Sequence, residues 1–397
     1  MEHGVSPHRH LWLLDEQITF LNHGSFGACP RVVLEEQARF REEMEREPVQ
    51  FLWREMEGKL DAARAELACF AGADPEDIAF VANATMAVNA VVRSLELREG
   101  DELLTTSHAY NACNNVLAEV ARRAGARVVV AKVPFPLASS DEVTAAILDA
   151  ATSRTRLAMI DHVTSATALV FPVAEIVAAL EARGIPVLVD GAHAPGMLPL
   201  DLRALGASWY TGNLHKWVCA PKGAAFIFAR RDRQAGLHPA TISHGYNTPR
   251  EGRSSFHDEF DWQGTMDFSA WLCVPAAIRF CGSLMAGGHA ALMRHNRQLV
   301  LDARALLAER LGVDPPCPAG MLGSMAVMPL PACLQTGIQA TGRFDPLQTR
   351  LFAHHRIEVP IMRRGDPLRK WFRISAHAHN SMEDYIRLAD ALAEEMR

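Results

Sequence analysis

Long apolar runs are missing from the chain. Its 397 residues contain nothing near the roughly 18 consecutive apolar residues of a membrane span. Leu11-Trp12-Leu13-Leu14, cut off by Asp15 and Glu16, is too short for the apolar part of a signal peptide. The reading is therefore a soluble, cytoplasmic protein that does not enter a membrane. A basic excess is missing too: Lys and Arg total 40 against 46 Asp and Glu, a formal net charge of -6. That excludes the electrostatic footprint of a general nucleic-acid binder. The eight cysteines, at 29, 69, 113, 219, 273, 281, 317 and 333, form no CxxC pair. They read as reduced, mostly buried thiols rather than a disulfide framework or a zinc ribbon. The close histidine pairs, His354-His355 and His377-Ala378-His379, lack the acidic or cysteine partners of a familiar zinc site, so no metal is expected. No G-x-G-x-x-G follows the first predicted strand, which disfavours a dinucleotide fold.

What is present is an ordinary globular composition, 49% hydrophobic and 22% charged, in a chain long enough for two or three domains of roughly 100–200 residues each. Residues 1–30 read as an irregular arm ending in the turn-rich Asn22-His23-Gly24-Ser25-Phe26-Gly27, with Pro30 placed to open a helix. Helical patterns cover Arg31 to Arg46 and Phe51 to Phe70. Short apolar runs then alternate with amphipathic stretches: Ile78–Val81, Glu102–Thr105, Arg127–Val133, Leu157–His162, Pro186–Asp190, Ser208–Thr211 and Ala224–Ala229. Seven strands alternating with helices argue an α/β domain over 31–266, built on a mostly parallel sheet with helices on both faces. A polar stretch from Gly236 to Gly264 shows no periodicity, and long loops of that kind are commonly functional. From 267 to 397 the pattern changes to helices (Ala270–Leu284, His289–Leu311), then strand–helix–strand through Met325–Met328, Pro346–His355 and Trp371–Ser375, and a last helix from Met382. This predicts a smaller C-terminal α+β domain.

Three features share one predicted crevice. Asp190 ends the apolar strand Val187-Leu188-Val189, and ligands of open α/β sheets bind at the carboxyl ends of strands. Lys216, 26 positions later (216 minus 190), follows the next predicted strand and can present an amine there. Asn83-Ala84-Thr85 lies between a strand and a helix, where free N–H groups and a hydroxyl suit a phosphate. An amine for an aldehyde, a carboxylate for a pyridine nitrogen and a phosphate cradle are the three requirements of pyridoxal 5′-phosphate. Singly, each is commonplace: a surface lysine, a strand-end cap, an ordinary N-cap. Their succession on adjacent strand ends is not.

In these residues and their order, the chain resembles the class V aminotransferase family of fold-type I pyridoxal-phosphate enzymes. The resembling stretches run along nearly the whole chain: Leu21-Asn22-His23-Gly24-Ser25-Phe26-Gly27, Val189-Asp190-Gly191-Ala192-His193-Ala194-Pro195-Gly196, Gly212-Asn213-Leu214-His215-Lys216-Trp217 and Gln263-Gly264-Thr265. The resemblance implies that Lys216 bonds the cofactor aldehyde and later moves the Cα proton, and that Asp190 pairs with the pyridinium. It implies that His193 donates to the phenolic oxygen, and that Tyr110 stacks on the ring, with His108 as the fallback. Ala84, Thr85, Asn213 and His215 would contact the phosphate, Thr265 the phosphate of a neighbouring subunit in a homodimer with shared sites, and Ser165 the cofactor. Arg373, in Phe372-Arg373-Ile374-Ser375, matches the arginine that binds a substrate carboxylate. Asn22 and His23 either line the substrate pocket or shape the turn.

All outcomes branch from one Cα carbanion of a small amino-acid substrate: epimerisation, C–S β-lysis of a cysteine conjugate, or transamination. Desulfurases of this fold carry a mobile-loop cysteine shortly before the carboxylate-binding arginine. Here the last cysteine, Cys333, lies forty residues before Arg373 (373 minus 333), so a persulfide route is not expected. Epimerisation is placed first, with Tyr110, His23 or Tyr246 as the acid facing Lys216.

Overall fold

The computed structural model describes residues 4–336, 344–365 and 367–397. Val187, Leu188 and Val189 are each wholly buried, as an apolar run without alternation requires when both faces of a strand are covered. This segment, β5 (Val187–Asp190), belongs to a seven-stranded sheet with β1 (Ile78–Val81), β2 (Glu102–Thr106), β3 (Arg127–Ala131), β4 (Thr155–Asp161), β6 (Trp209–Asn213) and β7 (Ala225–Ala229). The order across the sheet is β1-β7-β6-β5-β4-β2-β3. Only β7 runs against the rest, pairing antiparallel with β1 and β6, so the expected mostly parallel sheet is present.

Alternate residues of each strand feed two cores. Ile78, Phe80, Ala158, Ile160, Val187 and Val189 join one apolar cluster; Ala79, Val81, Leu157, Met159 and Leu188 join the other, with residues of helices Ala84–Arg93 and Asn111–Ala124. Complete burial of such side chains contributes about 1.5–3 kcal/mol each. The same parity fixes the function-bearing ends. Asp161 follows Ile160 and Asp190 follows Val189, so both carboxylates emerge on the face of Met159 and Leu188.

Helix Arg31–Arg46 starts behind Pro30, as expected, whereas the next one begins with a π-helical turn, Gln50–Glu55, before Met56–Ala71. Beyond the main sheet, β8 (Met325–Pro329), β9 (Ile361–Arg364) and β10 (Arg369–Ser375) form a three-stranded antiparallel sheet in the order β9-β10-β8. Helices Gly288–Leu311 and Met382–Glu395 flank it. β9 was not expected, because Ile361-Met362-Arg363-Arg364 is short and half-buried and carries no apolar alternation. The Gly236–Gly264 stretch likewise hides a helix, Ser255–Phe260, with all but its first residue buried; one and a half turns leave no readable period. A two-residue parallel pairing, Thr19–Phe20 with Ile357–Glu358, ties the N-terminal arm to the C-terminal region. Among the described residues no single helix is long and apolar enough to cross a membrane.

Candidate active site

Lys216 sits in a tight turn between β6 and β7. Leu214 and His215 N–H both donate to the Ala224 carbonyl (3.0 and 3.1 Å), and Cys219 N–H donates to the Lys216 carbonyl (3.0 Å). Glycines close the turn from two sides. At Gly27 (φ +65°) a Cβ would lie 2.2 Å from the His215 oxygen, and at Gly196 (φ +81°) 2.6 Å from the Trp217 backbone. Both positions exclude a side chain on steric and dihedral grounds.

In front of the turn lies a cavity of about 500 Å³ lined by Gly24, Ser25, Phe26, Asn83, Ala84, Thr85, Tyr110, Asp161, Val163, Ser165, Asp190, Ala192, His193, Asn213, His215 and Lys216. Nine of the residues singled out above therefore share one space: Ala84, Thr85, Tyr110, Ser165, Asp190, His193, Asn213, His215 and Lys216. Lys216 Nζ is 3.0 Å from His193 Nε2. Burial, then the nearby Arg373 charge, brings the Lys216 amine from 10.5 down to about 7, so a large fraction is neutral and nucleophilic at neutral pH. His193 is held well below its usual range by burial and by the Lys216 charge, and its Nδ1 has no partner. Asp190 accepts from Ala192 N–H on Oδ1 (3.0 Å) and from Cys113 S–H on Oδ2 (3.3 Å).

The phosphate end is built at the N-terminus of helix Ala84–Arg93, where Asn83 caps by accepting from Met86 N–H (3.0 Å). The Ala84 N–H is already given to Asn213 Oδ1 (2.9 Å), which leaves the Asn213 amide NH2 as the donor available to an anion. His215 Nδ1 lies 2.9 Å from the Ala224 carbonyl. In the neutral ring that fixes Nε2 as an acceptor, and burial keeps the ring neutral, at about 4. A phosphate contact there requires the anion to draw a proton onto His215.

Other assignments land elsewhere. His108 is buried behind the cavity, with Nδ1 on Thr167 Oγ1 (2.7 Å) and Nε2 near the Val133 carbonyl (3.3 Å); Tyr110, two residues on and half exposed, takes the cavity-lining place. His23 does not line the cavity: it stands behind the turn, with Nε2 3.0 Å from the Lys216 carbonyl and Nδ1 3.1 Å from His379 Nε2. Asn22 is also behind the wall, donating to Glu358 (3.0 Å) and accepting from Ser25 (2.5 Å) and Arg373 (3.3 Å). Tyr246 is exposed and packs on His238 at 5.3 Å, beside a different cavity lined by Trp53, His244 and Trp262. Thr265 is exposed and lies outside the Lys216 cavity. Arg373 is buried just behind the lining, with Nη1 on the Ser165 carbonyl (2.5 Å) and Nη2 on Ser25 Oγ (2.9 Å), while its Nε has no partner.

Sequence reasoning missed Asp161, Cys113 and a buried cluster. The strand-end rule that selected Asp190 applies equally to Asp161. Cys113 carried no signal beyond its place in the first turn after Tyr110. His23, Cys219 and His377 bring three potential ligand atoms within 4.8 Å of one another, a grouping spread over more than 350 residues (377 minus 23) that no local spacing encodes.

Comparison with known proteins gives the class. Residues 20–319 match the aminotransferase class-V family. The chain is 37% identical to isopenicillin N epimerase of Amycolatopsis lactamdurans over 396 residues, covering 96% of each. It is 34% identical to putative L-cysteine desulfhydrase 1 of Oryza sativa subsp. japonica over 403 residues, covering 94% of this chain and 82% of that one. Among solved structures, a C-DES variant with glycine covalently linked to its PLP cofactor superposes with a TM-score of 0.83 at 21% identity, covering 98% of this chain and 100% of that one. The chain belongs to the class V aminotransferase family, pyridoxal-phosphate enzymes of fold type I. The cavity fits that cofactor on its own chemistry: a near-neutral buried amine, a carboxylate, an anion-ready helix start, and two buried polar atoms, His193 Nδ1 and Asp161 Oδ2, left without partners.

Proposed function

We propose that this enzyme moves the Cα proton of an amino-acid substrate as an epimerase of the isopenicillin N epimerase type. The observation that carries the reading is the Lys216 environment: an amine at about 7, 3.0 Å from a neutral imidazole, in a cavity that Tyr110 also lines. When bound, pyridoxal phosphate supplies an electron sink that acidifies the substrate Cα–H. Lys216 holds the cofactor and, once released, takes that proton at Nζ. Asp190 would pair with the ring nitrogen, and the Cys113 S–H and Ala192 N–H donors hold its carboxyl group in place. Asn213, Thr85 and the Ala84 helix start hold the phosphate. Arg373 offers its unpaired Nε to the substrate carboxylate, oriented by Ser25, Asn22 and the Ser165 carbonyl. Tyr110 is the group to return a proton on the second face, which epimerisation needs and β-lysis does not. Outside the cavity, exposed Thr265 and Trp53 (74% exposed) fit a homodimer with shared sites, checked by light scattering of the eluting enzyme. Eight free cysteines fit a reducing cytoplasm.

A C–S β-lyase is the second reading, favoured by the L-cysteine desulfhydrases at similar identity. Among the described residues no cysteine lines the cavity, so a lyase of this kind would release sulfide rather than carry a persulfide on the chain. Proton NMR in heavy water decides, using L-amino acids, cysteine conjugates and a penicillin-type tripeptide side chain. Epimerisation exchanges the α-proton with the skeleton intact and accumulates the opposite configuration. Appearance of pyruvate and ammonia with a sulfur fragment overturns it in favour of the lyase.

A further inference from the structure

The floor of the cavity carries two carboxyl groups where the chemistry described so far uses one. Asp161 and Asp190 end adjacent parallel strands and are direct register partners. They emerge on the same face of the sheet and line the same cavity. Their surroundings differ. Asp190 accepts from Ala192 N–H and Cys113 S–H, an arrangement suited to an anion. Asp161 is 3% exposed, and its buried Oδ2 has no partner among the described residues. An unpaired buried carboxylate beside another carboxylate is strongly disfavoured, and the usual resolution is a proton on one of the two.

We propose that Asp161 is a positioning residue for the cofactor: kept as a neutral acid beside the Asp190 carboxylate, it donates a hydrogen bond to the bound cofactor and holds the cavity floor at one negative charge. The pairing leaves the protonated member free to donate, because Asp190 already has its donors. Two charged groups act on Asp161, Asp190 and Arg364. Burial and then the Asp190 charge raise its affinity for a proton, and Cys113, on helix Asn111–Ala124, is itself pushed up by burial and by both carboxylates. Arg364, from β9, opposes them, and its guanidinium also donates to the Ser107 carbonyl. Two negative charges on the floor would hold a cationic ring tightly yet raise the desolvation cost; one charge plus one donor satisfies the ring without it.

The proposal rests on the reading that Lys216 holds pyridoxal phosphate, and the test separates the two. Apoenzyme is titrated with pyridoxal phosphate by absorbance, for the parent, Asp161→Asn and Asp161→Ala. Each loaded protein is then reduced with borohydride and its Lys216 peptide weighed. Asp161→Asn keeps a donor and cannot ionise, so it is expected to bind within about twofold of the parent with an unmoved absorption band. Asp161→Ala, which loses the donor, is expected to bind about tenfold more weakly with a shifted band. Should the alanine variant fail to fold by circular dichroism, Asp161→Leu, equal in size and without a donor, takes its place. The proposal is overturned if the asparagine variant weakens as much as the alanine variant, which would mean that charge is needed, or if both match the parent. Absence of a reduced adduct at Lys216 in the parent would instead overturn the Lys216 reading.

Discussion

The two sides of the Lys216 turn are both rich in polar residues, yet they are built to opposite ends. On the cavity side, polar groups line an open space: Lys216, Asp190, His193 and Asp161. On the far side His23, His377 and His379 are stacked without solvent, with His23 and His377 rings 4.5 Å apart. Burial holds all three well below the ordinary histidine range, His377 at about 4. Neutral rings there act as shaped apolar bodies with one directed N–H each. His23 Nδ1 accepts from His379, and His23 Nε2 donates to the carbonyl of Lys216 itself. Both sides keep unpartnered polar atoms, His377 Nδ1 and His379 Nδ1 on the far one, but only the near side opens on a cavity of about 500 Å³, while the far side is solid packing that backs the lysine. Preorganisation of this kind keeps a reacting group in place without further cost at the moment of reaction.

The largest expected effect tests the cavity side. Lys216→Ala should lower α-proton exchange about 10³-fold or more and abolish the borohydride-stable adduct, as read by NMR and peptide mass. Next, the two sides should separate under the same substitution. His23→Ala should lose about 2–4 kcal/mol of stability in urea unfolding, from lost packing and from the loss of one of the two donors to the Lys216 carbonyl. His193→Ala should lose only about 1 kcal/mol while shifting the absorption of bound cofactor. Equal responses would erase the distinction. Arg373→Lys keeps the charge but loses Nε and the Nη donors that fix it to Ser25 and the Ser165 carbonyl; KM for the substrate carboxylate should rise about tenfold with a smaller change in kcat.

The smallest effect is one of pH. Lys216 is depressed from 10.5 to about 7 on folding, so between those values the unfolded chain binds the extra proton. Apoenzyme stability should therefore gain from this group as pH rises through that window, and the gain should vanish in Lys216→Met. Unfolding free energies of both proteins from pH 7 to 10 measure it. An unchanged slope would show that the lysine is not desolvated in solution.

The strand-end rule and periodicity were enough to place the sheet. Val187-Leu188-Val189 could only be a strand covered on both faces, and Asp190 had to stand at its carboxyl end. Lys216 and the Asn83-Ala84-Thr85 turn followed from the same logic. β9 and the Ser255–Phe260 helix were illegible because they are held by tertiary contacts, such as Arg250 on Asp258 at 2.6 Å, rather than by a pattern of their own.

Four histidines near Lys216 show where sequence stops. His193, three residues after Asp190, is placed at the cofactor by the family resemblance, and it lines the cavity. For His23 the sequence leaves open whether it lines the substrate pocket, shapes the turn or serves as an acid facing Lys216, and His377 and His379 offer only a close pair without the partners of a familiar metal site. The chain itself determines which residues are polar and which strand or turn carries them, because those depend on neighbours in sequence. Which way an imidazole faces, and whether it meets an open cavity or another ring 4.5 Å away, depends on segments more than 350 positions apart (377 minus 23) closing against each other. That closure was decided by packing, since only the assembled core sets the desolvation and the partners that make one histidine line a cavity and another support the backbone.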